Sequence, residues 1–262
     1  MDTVLGRPTE GLAVEASGVS KYFEKDGAIN HVLSDVSITI RYGEFVSIIG
    51  PSGCGKSTFL KTLAGLEPFE AGQVRVLGKE PGAGRFDVAF VFQHLALLPW
   101  RTVLKNVMLP AEFAHLPKDE ALDRARRCLG MVGLDGYERY LLGEISGGMR
   151  QRVALARVLM SNASLLLLDE PFSALDELTR ETIDMLFMDV CSEAGAAAAL
   201  VTHSVHEAVL MSDRIFVMSI KPARIVDEVT VPIERPRRPD LMASEAATET
   251  VKRVRVGLGL GH

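Results

Sequence analysis

The spacing of apolar and polar positions changes period several times along this chain. QVRVLG at 73–78 alternates, as a half-exposed strand does, whereas FVSIIG at 45–50, DVAFVFQ at 87–93 and LLLL at 165–168 are apolar almost throughout, the pattern of buried strands. Two further strands are expected at 14–17 and 36–40. KSTFLKTLAGL has helical spacing and meets a natural stop at Gly65 and Leu66. Between 102 and 132 the character is helical. In KDEALDRARRCLGMVGL the apolar residues Leu122, Ala125, Cys128, Leu129 and Val132 recur at three and four positions and predict one buried face. From Ser146 onward the pattern runs helix, strand (165–168), helix (176–191), strand (197–201), helix (205–211), strand (214–218).

Such alternation predicts an α/β domain with a largely parallel sheet. The main domain is read as residues 12–232, with a helical subdomain at about 95–160 whose insert proper is 95–145. Residues 1–12 read as a loose leader. The stretch 233–262, opening on a proline- and arginine-rich piece and ending GLGLGH, reads as a short surface tail. The opening MDTVLGRPTEG has no following apolar run, so no signal peptide is expected. The longest apolar runs fall far short of the roughly 20 residues that span a bilayer, so any work at a membrane calls for another subunit.

Composition narrows the class. Hydrophobic residues make up 47% and charged residues 24%, the balance of a soluble globular chain. The net charge of −5 gives no global cationic field, so no nucleic-acid partner is expected. Cys54, Cys128 and Cys191 are odd in number and lack metal-ligand spacing, which fits a reducing compartment.

GPSGCGKST at 50–58 carries the first piece of chemistry, because it follows a buried strand and opens a helix. Gly50, Pro51, Ser52, Gly53, Cys54 and Gly55 form a loop whose N–H groups can turn toward phosphate oxygens, and the helix adds its positive end. Lys56 is suited to the β- and γ-phosphates, Ser57 to Mg²⁺, and Thr58 to the α-phosphate. Cys54 occupies a variable position of the pattern and is read as packing. LLLLDE at 165–170 adds two carboxylates at a strand's carboxyl end. Asp169 is read as the Mg²⁺ acid, which leaves Glu170 as a base or positioner for attacking water. Gln93 and His203 end two other apolar strands, where a parallel sheet opens its ligand crevice. A Gln there can reach metal or water, and a neutral His can donate to a γ-phosphate.

EISGGMRQRVALAR at 144–157 is harder to place. Ser146 can cap a helix while Gly147 and Gly148 expose N–H groups at its positive end, yet one phosphate loop already suffices for one nucleotide. With this stretch the chain resembles the nucleotide-binding subunit of ATP-binding cassette (ABC) transporters, over about residues 12–232. GPSGCGKST is similar to the Walker A motif, the Gln93 strand to the Q-loop, and ISGGMRQRV to the signature motif. LLLLDEP is similar to Walker B, SALD at 173–176 to the D-loop, and His203 to the switch histidine. Ile145 stands where Leu is commoner, an apolar exchange of little consequence.

The resemblance implies a P-loop cassette with a parallel core sheet, an N-terminal antiparallel β subdomain and the inserted helical subdomain. It implies ATP with Mg²⁺, held by Ser57, Gln93 and Asp169, and an adenine-stacking aromatic near the start, for which Phe23 aligns better than its neighbour Tyr22. It further implies a head-to-tail pair of cassettes, with Ser146, Gly147 and Gly148 completing the partner's site and Asp176 signalling across the interface. LLPWRTVLKNV at 97–107 resembles the nitrate, sulfonate, taurine and bicarbonate importers. The implied setting is the cytoplasmic face of the membrane, beside a permease that docks near 93–110 and, indirectly, an extracytoplasmic binding protein. An exporter is the alternative within transport. A soluble repair or ribosome factor usually brings a long coiled coil or two cassettes, and a small-molecule kinase leaves the 144–157 stretch unexplained.

Overall fold

The structure is a computed structural model that describes residues 11–25, 27–93, 95–171 and 177–260. Two long strands, β1 (Leu12–Lys25) and β2 (Ala28–Arg41), pair antiparallel and are joined on β1's other side by β4 (Ala71–Val76). β2 buries alternate residues along its second half, the period-two signature of a sheet with one face in the core. β1 and β2 are about three times as long as the sequence suggests. Several β-bulges interrupt the register between β1 and β2 and break the simple alternation.

The second sheet has the order β5-β6-β7-β3-β8-β9, from β5 (Val88–Val91), β6 (Leu165–Asp169), β7 (Ala197–Thr202), β3 (Phe45–Ile49), β8 (Arg214–Met218) and β9 (Ile225–Thr230). All its neighbours pair parallel except β8 and β9. β3, β6 and β7 are buried at every residue, because helices or the antiparallel sheet cover both of their faces. β5 corrects an expectation. Its apolar run suggested a buried strand, but it lies at the sheet edge and every residue is only half buried.

α1 (Lys56–Leu63) packs between the sheets, with Phe59, Leu60 and Leu63 in the core shared by β1, β2 and β3. The expected helical region is three helices, α2 (Val103–Val107), α3 (Leu109–Phe113) and α4 (Lys118–Met131). The α4 face is the predicted one with Ala121 buried in place of Leu122, which is half buried. α5 (Gly147–Ser161) carries Val153, Ala156 and Met160 into the same core as α4. α6 (Glu177–Ala194) and α7 (Val205–Met211) precede and follow β7.

The C-terminal stretch is more than a surface tail. Arg237 is buried, donating to the carbonyls of Ile233 at 2.7 Å and Ser212 at 2.8 Å and pairing with Asp213. Beyond it, Ser244 caps α8 (Glu245–Gly257), which buries Ala247, Thr250 and Val254, the first and last of them in a core shared with α7, β8 and β9. Three buried positions spread over thirteen residues are too sparse a stripe to stand out from the sequence.

Candidate nucleotide site

The buried strand β3 delivers the chain to Gly50, the entry to the phosphate loop. A Cβ on Gly50 would lie 2.7 Å from the Met218 carbonyl oxygen and 3.2 Å from Cys54 Sγ, so only glycine lets the loop pass the end of β8. Gly55 closes the loop at φ 125° as the N-cap of α1, again a glycine conformation. Cys54 is buried beneath the loop, consistent with packing. Lys56 is buried and donates to the carbonyls of Gly50 at 2.8 Å and Pro51 at 3.1 Å, which holds its ammonium against the loop.

A cleft of roughly 500 Å³ opens over this loop, lined by Phe23, Lys56, Ser57, Thr58, Gln93 and Glu170 among others. Ser52, Gly53 and Gly55 line it too, whereas Tyr22 does not; that ring lies 5.8 Å from His31 instead. Lys21, held by Glu67 and Glu70, sets its ammonium 4.7 Å from the centre of the Phe23 ring.

Ser57 donates its hydroxyl proton to Asp169 Oδ1 at 2.7 Å, so α1 and the end of β6 meet at one point. Burial pushes the Asp169 carboxyl above its ordinary range, aided by the neighbouring Glu170 charge and opposed by the Ser57 hydrogen bond. Hydroxyl, carboxylate and the nearby Gln93 amide oxygen are the hard donors that Mg²⁺ takes.

Glu170 leaves β6 in the left-handed region, at φ 45°, with its N–H donating to Val201 O at 3.0 Å. That unusual conformation costs about 1–3 kcal/mol and turns the side chain away from the strand direction. Its Oε2 lies 3.4 Å from His203 Nδ1 and 3.5 Å from Gln93 Nε2. Residues from two strand ends thus converge on a single carboxylate oxygen at the end of a third.

Ser146 accepts from Met149 N–H at 3.2 Å as the cap of α5, and it and Gly147 are exposed, with Gly148 half buried. None of the three is among the residues lining the chain's own cleft. Asp176 and the rest of 173–176 lie outside the described residues.

Several supporting residues went unread in the sequence. Arg157 of α5 donates to Leu95 O at 2.5 Å and Ala96 O at 2.8 Å, and the buried Gln151 donates to Pro171 O at 3.2 Å, linking α5 to the segments after Gln93 and Glu170. Asn106 is fully buried, accepting from Leu98 N–H at 2.8 Å and donating to the Leu98, Arg101 and Thr102 carbonyls at 3.1 Å each. Behind His203, the buried Glu207 carboxyl accepts from the Thr202 hydroxyl in a very short hydrogen bond, and burial pushes its pKa up. The Ser204–Glu207 spacing is that of a capping box, a signal for Glu207 that the sequence did carry. Asp184 of α6 is also buried, and its Oδ1 has no hydrogen-bond partner among the described residues. Burial, and next the Glu207 charge, push its carboxyl up to about 8.

Comparison with known proteins agrees with this geometry. Residues 33–173 match the ABC transporter family. The taurine import ATP-binding protein TauB of Pseudomonas aeruginosa is 42% identical over 243 residues, which is 92% of this chain and 88% of that protein. The ATP-binding cassette MJ0796, solved as a dimer in a post-hydrolysis state with ADP and Pi, matches with a TM-score of 0.75 at 33% identity, over 84% of this chain and all of that one. The cassette cbiO1 of Clostridium perfringens, part of the cbiONQ transporter complex, gives a TM-score of 0.75 at 25% identity, over 95% of this chain and 98% of its own. A phosphate loop, a hydroxyl–carboxylate pair and a carboxylate gathered from three strands, in a chain with these relatives, identify it as a member of the ABC transporter family, one of its ATP-binding and ATP-hydrolysing subunits.

Proposed function

We propose that this subunit powers uptake of a small anion, with aliphatic sulfonates, taurine or nitrate foremost, as one of two copies arranged head to tail. The observation that carries the mechanism is the convergence of Gln93 and His203 on Glu170 within 3.5 Å, while Ser146 and Gly147 stand exposed apart from the cleft. Phe23 receives the adenine ring, and the loop from Gly50 to Gly55 with Lys56 and Thr58 holds the phosphates. Glu170 orients the attacking water and accepts its proton, and His203 donates to the γ-phosphate. Mg²⁺ bound by Ser57, Asp169 and Gln93 would supply neutralising charge at the β- and γ-phosphates.

Ser146, Gly147 and Gly148 of the second copy close the other side of the γ-phosphate, so cleavage removes the bridge between the two halves. Asp176 is assigned to signalling across that interface. Motion of the halves reaches a permease through residues 93–110, where Trp100 is 73% exposed on a loop fastened by Asn106. Among the described residues no helix is long and apolar enough to cross a membrane, which supports a peripheral place on the cytoplasmic face, held by that permease. The extracytoplasmic binding protein acts on this chain only indirectly, and the net charge of −5 speaks against a nucleic-acid partner. The taurine import role of the relative is the main support for the anion class.

The test is reconstitution in vesicles with its cognate permease and binding protein. ATP hydrolysis that rises with taurine, an alkanesulfonate or nitrate is the expected result. A complex stimulated only by a cation or a neutral sugar would overturn the anion reading.

A further inference from the structure

We propose that Lys221, in the loop between β8 and β9, is an additional nucleotide-binding residue that contacts the α-phosphate or ribose of the bound nucleotide. The inference rests on the reading of the cleft as an ATP site and extends it to a residue outside the motifs.

Lys221 lines the cleft that the phosphate loop floors, although it lies far along the chain from that loop. Its position is set by backbone contacts on both sides. Ser219 and Arg224 close the loop, with Ser219 N–H donating to Arg224 O at 2.9 Å and Arg224 N–H to Ser219 Oγ at 3.0 Å. Ala223, fully buried, donates to Val32 O at 2.9 Å and accepts from Ser34 N–H at 3.0 Å, tying the loop to β2. Val32 in turn touches the phosphate loop, since a Cβ on Gly55 would meet Val32 Cγ1 at 3.0 Å. A fixed platform therefore carries the Lys221 stem to the cleft, and Lys221 has no acidic partner among the described residues.

Sheet order tells which part of the nucleotide Lys221 meets. β3 leads into the loop, with β8 on one side of it and β7, β6 and β5 on the other. Glu170 and Gln93 follow β6 and β5, so the γ-phosphate end belongs to that flank. Lys221 follows β8, on the opposite flank, and is tied through Val32 to β2, the strand that also pairs Asn30 with Phe23. Phe23 marks the nucleoside end of the cleft, and the Lys221 loop is tied to the same β1–β2 pair that carries Phe23. The atoms in reach are the α-phosphate oxygens and the ribose hydroxyls, which ATP and ADP share. A contact common to both nucleotides is uniform binding, which lowers KM and slows ADP release without changing the barrier to hydrolysis.

The experiment is titration of the full chain and its K221A, K221E and K221R variants with ATP and with ADP by calorimetry, alongside steady-state hydrolysis. K221A is expected to raise Kd for both nucleotides by a common factor of about three to ten, K221E by more, and K221R to restore most of the loss. KM rises with Kd in K221A while kcat stays within about twofold, which a merely structural defect does not produce. Unfolding midpoints without nucleotide serve as the fold control, because Lys221 is exposed. Unchanged ATP and ADP affinities in both K221A and K221E overturn the proposal, as does a loss confined to ATP. Failure of the unmodified chain to bind either nucleotide overturns the reading of the cleft itself.

Discussion

Arg157 on α5 holds the carbonyl of Ala96 at 2.8 Å, so the helix that opens with Ser146 and the segment that follows Gln93 are mechanically joined. Burial lowers the pKa of that guanidinium, yet it stays charged at any physiological pH and its hydrogen bonds remain charge-assisted.

Replacing Arg157 with Ala is expected to destabilise the chain by about 1.5–3 kcal/mol, the range for lost hydrogen bonds to a charged group. The sharper readout is functional. In the reconstituted complex, hydrolysis by R157A loses its response to transported substrate, because movement after Gln93 no longer reaches α5. A variant that keeps full stimulation would show the contact to be structural only.

Glu170→Gln keeps the shape of the side chain and removes the charge that is proposed to orient and deprotonate water. Hydrolysis is expected to fall on the order of 10³-fold with ATP affinity nearly intact. Single-turnover measurement separates the two quantities, and normal turnover would remove Glu170 from its role.

Ser146→Arg places a bulky cation on an exposed helix cap. Loss of the cap costs about 0.5–2 kcal/mol, which S146A reproduces as a control. Only the Arg variant is expected to block ATP-driven pairing, measured by sedimentation, while ATP still binds the single chain. Loss of binding in the single chain would show that Ser146 serves its own cleft.

Asp184 gives the fold a pH dependence whose sign can be worked out. Its carboxyl titrates near 8 when folded and in the ordinary acid range when unfolded. Below that ordinary range both states are protonated and folding does not feel the group. Between it and about 8, the unfolded carboxyl is ionised while the folded one keeps its proton, so stability declines as pH rises and the decline levels off above about 8. Asp184→Asn is expected to flatten this slope and to gain about 1–3 kcal/mol at pH 8, measured by urea unfolding from pH 5 to 9. Parallel slopes for the two chains would exclude ionisation of Asp184 as the cause.

The legible parts of this protein were those whose signal is local. GPSGCGKST names a strand, a turn and a helix start within nine residues, and LLLLDE places its acids by the strand it ends. Gln93 and His203 were legible because strand ends in a parallel sheet share one crevice. Neither local signal says that both side chains meet at one oxygen of Glu170, which depends on the order of β5, β6 and β7 and on the left-handed turn at Glu170. Arg157, Gln151 and Asn106 act on carbonyls, which carry no mark in the sequence. The edge position of β5 was hidden for a related reason, since an apolar run records hydrophobicity but not how many neighbours a strand has.

Asn106 fastens residues 98–102 through backbone atoms alone, with its side-chain oxygen on one N–H and its nitrogen on three carbonyls. The loop's backbone is therefore held from within by Asn106, with the Arg101–Glu112 ion pair at 2.7 Å as a further tie, while Pro99 and Trp100 project into solvent. On the proposed docking of a permease at 93–110, those positions would act as an address label on a fixed mount: residues from another cassette grafted onto the exposed positions 99 and 100 are expected to redirect the subunit to a different permease while the ATPase beneath stays as it is.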